Sequence, residues 1–192
     1  NRGRYTLTEG SVLEDFAALR ADLGDYALGC YMAELLEAVS DEDSHSTALL
    51  HLGLNALFAL SRQLYPAKHI KAVFELRLMC LAGYEPLADS CAYCGCPEPE
   101  QPLLDVVQGV LRCRKCGVRE STLSMPLCRD SLAALRHIIY GDPKRLYSFT
   151  LGPDALRRLS GAAEAFAAAQ LERGFRTLDF YKSLQTVEMP SK

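Results

Sequence analysis

The sequence predicts a mainly α-helical bundle with one small cysteine-rich insertion. Apolar residues recur at helical spacing through residues 11–85 and again through residues 125–187. Between them, residues 86–124 are rich in proline and contain two Cys-x-x-Cys pairs. With 192 residues, of which 49% are hydrophobic, the chain is long enough to bury one sizeable core.

The first helix is predicted to begin at Ser11. Ser11 and Glu14 fit a capping box, in which a serine and a glutamate three residues later satisfy each other's backbone amides. Gly24 is expected to break this helix, and helical spacing resumes over residues 26–39. Residues 41–44, an acidic run that ends in serine, are expected to form a turn.

The next helices have clear boundary signals. Residues 46–64 carry apolar side chains so densely that this helix is expected to be buried on most of its circumference. Pro66 suits the first turn of the following helix, and Gly83 suits its left-handed end. After the insertion, helical spacing is found over residues 131–140, 153–174 and 175–184.

Within the insertion, one short apolar alternation, Leu104 to Leu111, is interrupted by Gly109 and predicts a β-hairpin. The insertion has too few apolar residues to form a core of its own.

Charge and composition narrow the functional classes. The net charge is -3, but residues 1–43 contain ten acids and three bases, whereas the remainder contains eighteen bases and fourteen acids. This mild basic excess permits nucleic-acid or acidic-peptide binding without requiring it. No apolar run reaches the length of a membrane span, and no secretory signal is recognisable at the N-terminus. A cytosolic setting, where thiols stay reduced, is therefore expected.

The two cysteine pairs predict a structural zinc site. Cys91, Cys94, Cys113 and Cys116 follow the pattern C-x₂-C-x₁₈-C-x₂-C, which lies within the zinc-ribbon range. Gly95 and Gly117 directly follow the two pairs and allow the tight turns that such sites use. Four thiolates close the coordination shell of one zinc ion, whereas a catalytic zinc keeps one position open.

The remaining cysteines are less clearly assigned. Cys96 lies two residues after Cys94 and is an alternative ligand, although Cys94 has the better spacing. Cys30, Cys80 and Cys128 are expected to pack as small hydrophobes on apolar helical faces. A redox role for the pairs is disfavoured, because no strand leads into a helix that opens with Cys-x-x-Cys.

Four bases surround the second cysteine pair. Arg112, Arg114, Lys115 and Arg119 either neutralise the negative zinc–thiolate cluster or contact nucleic-acid phosphates, and the sequence favours neither interpretation.

A family resemblance adds to this interpretation. The segment KAVFELRLMCLAGYEPLADSCAYCG, residues 71–95, resembles the helix, loop and C-x-x-C-G of the RecO family of bacterial recombination mediators. Residues 16–23, 31–35 and 175–181 are also similar to parts of that family, so the resemblance covers nearly the whole chain. It implies that residues 1–10 are the remnant of an N-terminal OB-fold, which is otherwise absent. Residues 188–192 follow the last apolar segment and are expected to form a tail.

The resemblance also implies a function. RecO-type proteins bind single- and double-stranded DNA, largely through the OB-fold, anneal complementary strands, and work with RecR to load the recombinase onto DNA coated with single-strand-binding protein. They hold the acidic, aromatic tail of single-strand-binding protein in their helical domain. The matching residues here are Lys68, Lys71, Phe74 and Arg77. A non-enzymatic, cytoplasmic and nucleoid-associated protein is therefore expected.

Two other functional classes remain as alternatives. One is a zinc-ribbon accessory protein that contacts nucleic acid. The other is a zinc-dependent hydrolase or deaminase, which the lack of a histidine–glutamate zinc motif disfavours.

Overall fold

The structure, a computed structural model, describes residues 6–40, 47–116 and 123–187. Within these ranges it is mainly helical, with a small three-stranded sheet inserted after the third helix, which confirms the predicted fold class. The helices are α1 Leu23–Val39, α2 Thr47–Ser61, α3 Ala67–Leu81, α4 Arg129–Tyr140, α5 Pro153–Gln170 and α6 Arg176–Val187. The strands are β1 Pro102–Asp105, β2 Val110–Cys113 and β3 Ser124–Pro126. No helix in the described ranges is both long and apolar enough to cross a bilayer.

The prediction of a helix beginning at Ser11 is wrong. Residues 6–16 are neither helical nor extended in a sheet, and only one short 3₁₀ turn, Ala17–Ala21, precedes α1. The Asp22 side chain accepts a hydrogen bond from the Asp25 amide at 2.8 Å and caps α1, so Gly24 lies in the first helical turn. The capping-box residues lack tertiary support, because the apolar side chain that follows Ser11, Val12, is exposed.

Helix α2 is buried on one side only, contrary to the expectation of burial around its circumference. Leu50, Leu54 and Phe58 are exposed at a spacing of four residues and form a solvent-facing apolar stripe. The opposite side packs against α1 and α3. The predicted turn at residues 41–44, which precedes α2, lies outside the described residues.

Helix α3 is the centre of the bundle and contacts α1, α2, α4 and α5. Pro66 immediately precedes its first residue, and Gly83, with φ of 92°, follows its end, as the sequence predicts. The Tyr84 amide then donates to the Met79 carbonyl at 2.8 Å and closes the last turn. Ten of the fifteen residues of α3 are buried, including three that are polar or charged: His69, Lys71 and Glu75.

A buried charged network joins α3 to three other helices. The Lys71 ammonium lies 2.7 Å from a carboxylate oxygen of Glu75 and 2.8 Å from one of Glu164 on α5. The Tyr31 hydroxyl of α1 donates to the same Glu75 oxygen at 2.7 Å. Lys182 of α6 binds the second Glu164 oxygen at 2.6 Å. Desolvation raises the pKa of Glu75, and the adjacent Lys71 opposes that shift.

The insertion contains the predicted hairpin. Strands β1 and β2 pair antiparallel, with Leu104 opposite Leu111, and Gly109 adopts φ of 66° in the connection. Strand β3, which the sequence did not predict, pairs with the other edge of β1. Leu104, Val106 and Leu111 are fully buried and belong to the main hydrophobic core. The sheet therefore depends on the helices for its apolar packing.

One arginine of α4 attaches the cysteine-rich loop to the bundle. Arg136 donates to the carbonyls of Ala88 at 2.8 Å and Asp89 at 3.0 Å, and also to the Pro97 carbonyl. Its guanidinium pairs with Glu98 at 2.5 Å. These contacts reach both sides of the first cysteine pair, so they fix that loop relative to α4.

Replacement of Lys71 tests the buried network. Lys71→Met leaves the fully buried Glu75 carboxyl without its cation, and we expect a loss of about 3–5 kcal/mol in the free energy of unfolding measured with urea. Lys182→Met removes the exposed partner of Glu164 and should change the free energy of unfolding by less than about 1 kcal/mol. Equal losses in the two variants would show that burial of the ion pair is unimportant.

Candidate metal centre and basic surfaces

The sulfurs of Cys91, Cys94, Cys113 and Cys116 lie within 4.8 Å of one another. The separation is 3.8 Å between Cys91 and Cys116, 3.6 Å between Cys94 and Cys113, and 3.1 Å between Cys113 and Cys116. A tetrahedral ion with metal–sulfur bonds of about 2.3 Å requires sulfurs about 3.8 Å apart. The cluster therefore has the donor atoms and approximately the dimensions to hold a metal ion.

Local backbone structure positions these sulfurs. The Gly95 amide donates to the Cys91 carbonyl at 2.9 Å, and Gly95 adopts φ of 70°, which makes the tight turn of the first pair. Cys113 ends β2, and its amide donates to the Cys91 sulfur at 3.3 Å. Cys116 follows within a 3₁₀ turn, Arg114–Cys116. The equivalent turn glycine of the second pair, Gly117, lies outside the described residues.

Backbone amides around Cys91 favour its thiolate form. Burial by itself would raise the pKa of the Cys91 thiol, but hydrogen bonds from the backbones of Tyr93, Cys94 and Cys113 outweigh it and lower the pKa to about 6. A thiolate at neutral pH is the form that binds metals.

The other four cysteines lie elsewhere. Cys96 does not share the sulfur cluster, and its carbonyl accepts a hydrogen bond from the Cys91 amide at 2.8 Å. Cys30 and Cys80 are half-buried, and desolvation raises the pKa of Cys80 to about 11. Cys128 is also half-buried but is not on a helical face, because it is the residue that caps α4.

The four bases near the cysteines do not form one surface. Arg112 is fully buried and pairs with Asp105 at 2.7 Å, while its guanidinium stacks on the Tyr93 ring at 4.9 Å. Its predicted nucleic-acid contact is therefore incompatible with the structure. Arg114 and Lys115 are exposed, and Lys115 lies 3.2 Å from Glu100. Arg119 lies outside the described residues.

The residues predicted to bind an acidic tail do not lie together either. Lys68 and Arg77 are nine residues apart on α3, which places them on opposite faces at about 100° per residue. Phe74 is fully buried and Lys71 is enclosed by two carboxylates, so neither offers the surface that the sequence interpretation required. The Arg77 guanidinium donates to the Ile139 carbonyl at the end of α4 at 3.0 Å.

Arg77 instead lines a groove between α2 and the loop after α4. Two adjoining cavities of about 330 and 350 Å³ share Leu52, Asn55, Pro143, Lys144 and Leu146. We call this the α2 groove. Its lining includes the apolar residues Phe58, Leu64, Leu81 and Leu146 and the bases Arg77, Lys144 and Arg145. Sequence reasoning missed it, although a Lys–Arg pair in a short interhelical loop was a visible signal.

An aromatic cluster supports the loop that forms one wall of this groove. The His69 ring lies 4.5 Å from the Phe149 ring and 5.3 Å from the Tyr65 ring, and Tyr65 stacks on Tyr147. Burial lowers the pKa of His69, which favours the neutral imidazole that can pack among these rings. Because the rings join α3 to the loop, the groove has a packed wall behind it.

A pair of cysteine variants tests the metal centre. Cys91→Ser removes one of the four clustered sulfurs and should reduce the metal-to-protein ratio, measured by elemental analysis, to near zero. Cys96→Ser, the matched control, should leave the ratio unchanged. The helical circular dichroism of both variants should be retained, because the helices bury their own core. Unaltered metal content in Cys91→Ser would refute this ligand set.

Comparison with known proteins identifies the family. The family model described as Recombination protein O C terminal matches residues 20–179. The DNA repair protein RecO of Acetivibrio thermocellus is 27% identical over 96% of this chain and 73% of its own length. That of Anaeromyxobacter sp. strain K is 37% identical over 85% of this chain and 64% of its own length.

A third relative, the DNA repair protein RecO of Heliobacterium modesticaldum, is 29% identical over 93% of this chain and 66% of its own length. The chain thus spans roughly two thirds to three quarters of these relatives. Since the family model covers most of the helical bundle and the cysteine-rich insertion, the chain belongs to the RecO family and contains its C-terminal domain.

Proposed function

We propose that the chain acts in DNA repair as the helical part of a recombination mediator. It binds single- and double-stranded DNA, promotes strand annealing, and helps to load the recombinase onto DNA coated with single-strand-binding protein, together with RecR. The matched RecO proteins, each named a DNA repair protein, support this assignment. The function is one of binding rather than catalysis, in the bacterial cytoplasm and at the nucleoid.

The α2 groove is the observation that carries the proposal. In this proposal, the chain holds single-strand-binding protein by that protein's acidic, aromatic tail. Such a tail needs cations for its carboxylates and an apolar surface for its hydrophobic end. The groove offers Arg77, Lys144 and Arg145 beside Phe58 and Leu64. Charge-assisted contacts at a basic rim and burial in an apolar floor are complementary to such a peptide.

The metal is proposed to be one structural zinc ion. Four thiolates are the soft ligand set of structural zinc sites and leave no open position for a substrate. Bound zinc would tie the loop at Cys91 and Cys94 to the end of β2, alongside the contacts of Arg136. Any DNA contact by the described residues of this region would then use Arg114 and Lys115, which are exposed.

Reversal of one charge tests the tail site. Lys144→Glu should weaken the binding of a synthetic acidic tail peptide on the order of tenfold, because it places a negative charge in the groove. Fluorescence anisotropy with a labelled peptide measures the affinity. Lys68→Glu, on the opposite face of α3, is the matched control and should leave it unchanged. A loss of peptide affinity seen only in Lys68→Glu would show that the tail binds the face of α3 that carries Lys68.

A further inference from the structure

A second basic cavity lies on the face of α3 that is opposite the α2 groove. It has a volume of about 210 Å³ and lies between α3, α5 and α6. Four bases line it, namely Lys68, Lys71, Arg157 and Lys182, against one carboxylate, Glu164, and Arg157 also pairs with Asp154 outside the lining. We call it the α5–α6 pocket. Because the bases come from three helices, the fold assembles the pocket and no single sequence motif reveals it.

The one carboxylate in the pocket is already neutralised. Glu164 directs one oxygen to Lys71 at 2.8 Å and the other to Lys182 at 2.6 Å. The positive charge of Lys71 and nearby Lys182 lowers the pKa of Glu164 despite its partial burial, so it stays ionised and engaged with these cations. The negative charge of Glu164 is therefore balanced by these two cations and does not strongly repel an anion that enters the pocket.

The Lys71 ammonium gives the pocket a buried polar wall. Its side chain is 4% exposed, and its two carboxylate contacts use two of the three N–H donors that an ammonium carries. The ammonium also lies 5.6 Å from the centre of the Tyr31 ring. Lys71 therefore adds fixed positive charge to the pocket wall, and the direct contacts to a ligand fall to the exposed Lys68 and Lys182.

The position of Lys68 also favours an anion in the pocket. Lys68 lies in the first turn of α3, which contains no acidic residue and has no side-chain cap. The first turn of a helix carries partial positive charge, so a base there is unfavourable unless an anion is nearby. Among the described residues, Lys68 forms no ion pair. An anion at the pocket would offset this repulsion.

The remaining lining distinguishes a phosphate from a peptide. Ser160, Gly161 and Gln185 are small or polar, and Tyr181 is largely buried. Among the described residues that line this pocket there is no leucine or phenylalanine, whereas Phe58, Leu64, Leu81 and Leu146 line the α2 groove. We infer that the α5–α6 pocket binds a phosphate group, supplied by the backbone of a bound DNA strand. This inference rests on the proposed function for the source of the phosphate, but the pocket chemistry is independent of it.

The two binding faces would then serve different ligands. The acidic tail would occupy the α2 groove, which Arg77 lines, and the DNA phosphate would occupy the α5–α6 pocket, which Lys68 lines. Because these residues face opposite ways on one helix, the protein holds a DNA strand and the tail at the same time instead of exchanging one for the other.

The test uses a triple variant of the whole chain, Lys68→Gln, Arg157→Gln and Lys182→Gln. Its control, Arg20→Gln, Arg62→Gln and Arg173→Gln, removes the same charge from side chains that are 61%, 58% and 50% exposed. The probes are labelled oligothymidine, followed by anisotropy between about 50 and 200 mM salt, and inorganic phosphate, followed by calorimetry. Helical circular dichroism reports whether each variant remains folded.

We expect the pocket variant to bind oligothymidine on the order of tenfold more weakly than the control. The salt dependence of its affinity should be shallower by about 0.7 for each DNA phosphate that the variant no longer neutralises. Unchanged DNA binding with abolished inorganic phosphate binding would assign the pocket to a free phosphate. Equal affinities of the two variants for both probes would refute the proposal that the α5–α6 pocket binds phosphate. A parent chain that binds phosphate but no DNA would refute the proposed DNA function and leave the pocket standing.

Discussion

The arrangement of the helices depends on one buried cation. Lys71 lies between Glu75 of its own helix and Glu164 of α5, while Tyr31 of α1 donates to Glu75 and Lys182 of α6 reaches Glu164. A displacement of α1 or α5 would leave a buried charge or hydroxyl without one of its partners, which is far more costly than the net stabilisation that the pair provides, whereas Lys182 of α6 is exposed and adds little. The network therefore specifies how α1, α3 and α5 meet, and apolar burial supplies most of the stability.

The orientation that this network gives to α3 determines which residues lie on each of its two opposite faces. With Lys71 directed towards α5 and α6, Arg77 must face α2 and the loop after α4, because the helical repeat separates the two positions. The α2 groove and the α5–α6 pocket are consequences of the same helix orientation. The cysteine-rich insertion is dependent in a similar way, since its strands bury Leu104 and Leu111 in the main core and Arg136 holds its loop. A metal ion would order the cysteine loops without determining the bundle.

The features that the sequence predicted are those that local chemistry determines. The spacing of Cys91, Cys94, Cys113 and Cys116, the hairpin around Gly109 and the end of α3 at Gly83 each depend on residues close in sequence. The start of α1 was wrong because a capping box at Ser11 needs an apolar face that packs, and that face is exposed. The burial of Phe74 and Arg112 and the opposite orientations of Lys68 and Arg77 follow from tertiary packing, which residue types alone did not reveal.

Two anionic ligands on opposite faces of α3 interact only weakly. A helix with its side chains is about 10–12 Å across, whereas the Debye length at physiological salt is about 8 Å. Repulsion between a phosphate at Lys68 and a carboxylate at Arg77 is therefore largely screened. The repulsion between the two bound ligands is therefore smaller at physiological ionic strength than in dilute buffer, although salt also weakens the binding of each ligand to its own bases. Such a surface would keep single-strand-binding protein attached while the strand that it releases is held on the other side of the same helix.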